Sequence, residues 1–171
     1  MNRGVALLNS AVFLILAPGT VAGWIPWLIS RWRFDDPFLH FYPSRLIGAV
    51  LIIAGLPPLV DSFLQFALKG FGTPAPILPT RDLVVSGLYR YVRNPMYLSV
   101  LSLVIGQAFL FGNERLLIYA AFVAVCFHCF VILYEEPKLR RTFHDQYEDF
   151  CANVPRWLPR FHPWKQNHSN R

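Results

Sequence analysis

Four long apolar stretches run through the chain, and the charged residues are confined almost entirely to the links between them. Val5 to Ser30 and Met96 to Gly112 carry no charge, Leu46 to Leu68 carries only Asp61, and Leu116 to Tyr134 carries none. Crossing roughly 30 Å of hydrocarbon takes about 20 helical residues, so each stretch predicts a transmembrane helix. Pro18, Pro26, Pro57 and Pro58 interrupt the first two, which lipid-embedded helices tolerate better than soluble ones. Only Asn113-Glu114-Arg115 separates the last two, and so short a link predicts an antiparallel hairpin. Beyond Tyr134, Leu139, Phe143, Tyr147 and Phe150 recur at helical spacing among charges. They predict an amphipathic helix that lies on the membrane or caps a site and ends at Val154-Pro155. Trp157, Leu158, Phe161 and Trp164 follow as interfacial anchors. Gly70 to Pro76 is too rich in glycine and proline for a helix. The expected fold is an all-α integral membrane protein with about four transmembrane helices and a C-terminal amphipathic helix.

Composition agrees with this pattern. Hydrophobic residues make up 54% and charged residues 15%, where a soluble domain is about one quarter charged. A length of 171 residues predicts one domain, 1–171. The first stretch has the charge order of a signal peptide, but its apolar run continues through Trp24 and Trp27 with no clear small-residue cleavage site. With four spans, the N-terminus, the 69–95 link and the C-terminal tail share one side, which holds twelve basic residues against four on the other. The positive-inside rule puts both termini in the cytoplasm. Attraction to anionic lipid then accounts for the net charge of +6 without a nucleic-acid partner. Cys126 and Cys129 lie inside the fourth stretch with no second ligand pair, so they predict packing residues rather than a metal site or a disulfide framework.

The hairpin determines where chemistry can gather. Residues just before its first helix, Gly87 to Tyr97, must lie beside those just after its second, Tyr134-Glu135-Glu136-Pro137. Arg90, Arg93, Tyr89, Tyr91, Tyr97, Asn94 and two adjacent carboxylates thus converge at the membrane surface. Asn94-Pro95 predicts a helix N-cap with proline at the first position, and the free N–H groups of that helix start suit an anion. Adjacent glutamates on a helix point about 100° apart, so one is free to face a ligand while the other pairs with Arg90 or Arg93. Asp61 is ionisable within a span, which makes it a candidate site residue or a structural one. His128 is expected to be a packed neutral imidazole, and His40 a loop residue on the far side.

Gly87-x-Tyr89, Arg93-Asn94-Pro95-x-Tyr97, Glu135-Glu136, Phe143-x-x-x-Tyr147 and Val154-Pro155 together resemble a membrane methyltransferase superfamily. It includes isoprenylcysteine carboxyl methyltransferases and phospholipid N-methyltransferases, and the Gly-Thr-Pro-Ala-Pro loop and Arg-Asn-Pro form look most like bacterial members. The resemblance covers roughly Gly70 to Pro159. It implies S-adenosyl-L-methionine as cofactor, a lipid or lipidated small-molecule acceptor, no metal and a bacterial inner-membrane location. It divides the chain into N-terminal transmembrane helices, 1–68, and a cofactor-binding core, 69–171. Carried over residue by residue, it implies a cofactor site of Arg81, Asp82, Leu83, Val84, Tyr89, Asn94, Pro95, Met96, Tyr97 and Glu135. Glu136 is the nearest candidate for a catalytic base, which an amine or thiol acceptor would need. Many relatives have histidine where Asn94 stands, and eukaryotic prenylcysteine enzymes carry arginine at the position of Val131. Alternatives are an NADPH-dependent membrane reductase of sterol-reductase type, whose members typically lack the paired glutamates, and a non-catalytic membrane scaffold.

Overall fold

The computed structural model describes residues 12, 16–69, 83 and 85–165. Residues 16–30 are continuously helical: a π-turn at Thr20–Trp24 leads into α1 (Ile25–Ser30). That helix stops at Arg31, whose φ of 49° turns the chain away. A short 3₁₀ turn, Phe38–His40, precedes α2 (Pro43–Lys69). A second, Gly87–Arg90, precedes α3 (Pro95–Phe111). Gly112 and Asn113 then reverse the chain into α4 (Glu114–Phe130). The described residues are all-α.

Two described helical segments are long and apolar enough to cross a membrane, Pro43–Leu64 within α2 and the continuous run from Glu114 to Asn153. Only 28% and 22% of their most apolar windows are buried, whereas the core helix of a soluble protein would be mostly covered. The exposed positions form stripes: Leu46, Val50, Ile53, Val60 and Leu64 on α2, and Ile118, Phe122, Val125 and Leu133 along the other. Apolar stripes of this extent face lipid. Where about four spans were expected, two meet the criterion. The apolar helix α3 is 17 residues long, about 25 Å. The start of the first apolar stretch lies largely outside the described residues.

The hairpin is as expected. Gly112 closes α3 with φ 68°, a conformation that glycine adopts without strain. A Cβ there would meet the Asp36 carbonyl oxygen at 2.3 Å. Asn113 caps α4, its side chain accepting from the Leu116 N–H.

The fourth stretch departs from expectation. Its helix does not end at Tyr134 but continues through a π-turn, Val131–Glu135, into α5 (Glu136–Asn153). The Glu136 N–H reaches back to the Val131 carbonyl. Pro137 explains the wider turn, since its ring offers no N–H and crowds the carbonyl four residues back. The amphipathic helix is therefore a continuation of the span, kinked at His144, where φ is 45°.

α2 and α3 pack closely because glycines line their crossing. A Cβ on Gly48 would lie 2.4 Å from the Leu110 nitrogen, and one on Gly106 would lie 2.8 Å from the Gly48 carbonyl oxygen. Small residues at such crossings let backbones approach where no hydrophobic effect drives association. The Ser102 hydroxyl donates to the Leu51 carbonyl at 2.8 Å. Buried Gln107 joins residues 16–30 to α3, donating to the Ala22 carbonyl and accepting from the Trp32 indole. Leu59, Phe63, Met96, Val100 and Leu103 form the core beneath the site.

Candidate functional site

The 87–94 link brings Tyr89 beneath the membrane helices, where it is buried and hydrogen-bonds with the Ser62 hydroxyl of α2. Burial pushes the Tyr89 phenol above the ordinary tyrosine range. The Ser62 bond opposes that rise, and the nearby Glu135 and Asp61 carboxylates add to it. Tyr89 is accordingly a neutral hydroxyl between two acidic side chains. Asp61 is half-buried and belongs to this group.

The two adjacent glutamates divide their partners. The Tyr97 hydroxyl donates to Glu135 Oε1 at 2.6 Å, and its ring packs on Phe127 with centroids 4.6 Å apart. Glu136 is 6% exposed and points the other way. Arg156 forks onto it, with Nε 2.6 Å from Oε1 and Nη2 2.9 Å from Oε2, and Arg93 Nη1 approaches Oε1 at 3.2 Å. These bonds raise the Arg156 pKa above its usual value, so the guanidinium stays charged. Arg93 also donates to Cys151 Sγ at 2.8 Å. Paired and buried in this way, Glu136 has both oxygens committed to arginines.

The segment after α5 straps across the 87–94 link. Val154 is buried, packing with Tyr147 and Phe150. The Arg93 N–H donates to the Pro155 carbonyl at 2.9 Å, and the Asn94 amide donates to the Arg156 carbonyl at 3.1 Å. Farther on, the Arg160 N–H bonds the Tyr91 carbonyl, the Trp164 N–H bonds the Arg90 carbonyl, and Arg90 Nε returns to the Trp164 carbonyl at 2.7 Å. Two expected anchors have partners within the protein: Trp164 packs on Phe150, and the Trp157 indole donates to His128 Nδ1 at 3.1 Å. His128 is thus an exposed acceptor rather than a packed imidazole. Leu158 and Phe161 remain exposed, as anchors would be.

Of the residues singled out by sequence, Tyr89, Tyr97 and Glu135 meet in one cluster. Met96 lies in the adjoining core. Asn94 holds the N-cap position of α3 but makes no side-chain cap, its amide going to the strap. Leu83 packs against the Tyr147, Phe150 and Val154 cluster. Arg81, Asp82 and Val84 lie outside the described residues. Arg90 pairs with the strap, and Arg93 is the arginine that meets a glutamate. Val131 is 1% exposed.

Pro95 borders a groove of about 340 Å³ between α2 and α3, along with Gly55, Pro58, Leu98, Ser99 and Ser102. Pro95, Leu98, Ser99 and Ser102 repeat at helical spacing on one face of α3, and Tyr97 leaves from the opposite face.

Ser62, which bonds Tyr89, and Arg156, which bonds Glu136, carry no motif signal in the sequence. The break at Val154-Pro155 was the available sign that the chain turns back at Arg156.

No curated protein and no solved structure matches the chain. Residues 44–146, more than half its length, match the phospholipid methyltransferase family. That span contains the hairpin, the Tyr89–Tyr97 motif and both glutamates, and by it the chain belongs to the phospholipid methyltransferase family.

Proposed function

We propose that this chain is an integral membrane enzyme that transfers a methyl group from S-adenosyl-L-methionine to an apolar, membrane-resident acceptor of phospholipid-like or isoprenylcysteine-like chemistry. Membership of the family implies the cofactor. The observation that carries the assignment to residues is the cluster of Glu135, Tyr97, Tyr89 and Asp61, within the matched span and at the junction of three helices.

The chemistry of these groups fits the cofactor. Glu135 accepts one hydrogen bond from Tyr97, which leaves lone pairs for an ammonium or ribose hydroxyl. Among the described residues no guanidinium bonds Glu135, whose carboxylate is placed to suit a ligand carrying positive charge. The N-terminus of α3, without a side-chain cap, presents N–H groups suited to a carboxylate. When bound, the cofactor supplies a methyl group already activated on a sulfonium. The chain's own work is to hold that group in line with the acceptor and exclude water. Arg81, Asp82, Leu83, Val84, Asn94, Pro95 and Met96 are proposed to complete the pocket. Glu136 serves as a buried counter-charge rather than the proton acceptor, because two arginines occupy its oxygens.

We take the chain to cross the membrane about four times, with the helix through residues 16–30 and α3 supplying the remaining spans. Both termini and the site then face the cytoplasm of a bacterial cell.

The test is a methylation assay with labelled cofactor on lipid extracts and on acceptors of graded chain length. Activity is expected to rise with chain length, since each buried methylene contributes about 0.8 kcal/mol. Equal rates on a water-soluble amine or thiol and on its lipidated form would contradict a membrane-resident acceptor.

A further inference from the structure

Glu135 sits on a π-turn, a rare geometry that helices adopt mostly in single turns. Pro137 opens the turn but does not fix its rotation. The next residue is tightly held. Glu136 is 6% exposed and held at both oxygens, by Arg156 at 2.6 and 2.9 Å and by Arg93 at 3.2 Å. Since the two glutamates share a peptide unit, a backbone rotation that turned Glu136 off its arginines would also turn Glu135 away from Tyr97.

Arg156 is itself fixed. Buried Val154 anchors the chain two residues earlier, and the link carrying Tyr89 and Asn94 grips the strap at the Pro155 and Arg156 carbonyls. The strap therefore ties the link before α3 to the turn after α4. The charge arrangement acts in the same direction. Two neighbouring carboxylates in one partly buried turn would repel, and the guanidinium pair neutralises one of them.

We propose that Arg156 is a positioning residue of the cofactor site: gripping Glu136 from the strap, it sets the rotation that presents Glu135. This rests on the methyltransferase reading above. Arg156 also lies beyond residues 44–146, the span that matches the family.

The experiment is a double-mutant cycle on S-adenosyl-L-methionine affinity, measured by calorimetry on the full chain in nanodiscs. Arg156→Gln is expected to weaken binding about tenfold. Arg156→Lys keeps the charge but loses the fork and is expected to fall between wild type and Gln; it remains informative if the Gln variant does not fold. In a Glu135→Gln background, either Arg156 substitution is expected to change affinity by less than twofold, because positioning matters only while Glu135 is there to be positioned. Wild-type affinity in both Arg156 variants would overturn the proposal. So would an Arg156 loss that multiplies in full onto Glu135→Gln, the mark of a merely structural role. If the wild-type chain binds no S-adenosyl-L-methionine, the methyltransferase reading itself fails, an outcome distinct from both.

Discussion

The two ends of the helix bundle handle polar groups in opposite ways. At the hairpin end, Gly112 and Asn113 turn the chain, the Asn113 amide reaches Asp35, and Arg45 donates to the Asp35 carbonyl. Those side-chain contacts are exposed. At the other end a carboxylate is 6% exposed, gripped by two arginines, and the partners come from the link before α3, the turn after α4 and the strap. A chain that only needed to end its helices would resemble the hairpin end. Buried ion pairs add little net stability over apolar packing, so their presence at one end marks the end where geometry has to be held.

The contrast can be broken most forcefully at Glu136. Glu136→Ala leaves Arg93 and Arg156 facing each other without a counter-charge, and loss of one partner of a buried pair costs about 3–5 kcal/mol. Thermal unfolding in detergent should show a large fall in midpoint; a shift no larger than that of a surface variant would mean the cluster is solvated.

A middling effect is expected at Gly112→Ala. The left-handed backbone penalises a side chain by about 1–2 kcal/mol, and the Asp36 carbonyl stands in the way of the new Cβ. The same unfolding measurement should give a clear but smaller loss, with cofactor binding unchanged. The smallest effect is expected at Asp35→Asn, which alters only exposed contacts. Its cost should be within about 0.5 kcal/mol, and a larger value would erase the distinction between the ends.

The hairpin end was legible in the sequence because its logic is local: two apolar runs with only three residues between them. The meeting of Tyr97 with Glu135 followed from the same hairpin, since a three-residue link leaves the distant helix ends side by side. The division of labour between the glutamates was half legible. Spacing said that they must part, and Arg93 was one of two partners named for the pair, but the second guanidinium comes from Arg156, twenty residues on in an irregular segment that periodicity cannot place. Trp157 and Trp164 look like membrane anchors in the sequence for the same reason, as nothing local reveals that the strap folds back. The junction at Tyr134 to Pro137 misled because the apolar run ends there while the backbone helix continues into the charged segment. The expected four spans reduce to two by length because α3 is short and the first stretch is only partly described.

In the proposed site Glu135, and not its neighbour's ion pair, meets the cofactor. The most direct measurement is a titration of purified wild type and Glu135→Gln with S-adenosyl-L-methionine, with NADPH as the competing ligand. Loss of one charge-assisted hydrogen bond is worth about 1.5–3 kcal/mol. Wild type is therefore expected to bind the methyl donor, and Glu135→Gln to bind it more than tenfold more weakly at an unchanged unfolding midpoint. Undiminished binding by Glu135→Gln, or binding of NADPH in place of the methyl donor, would contradict that assignment.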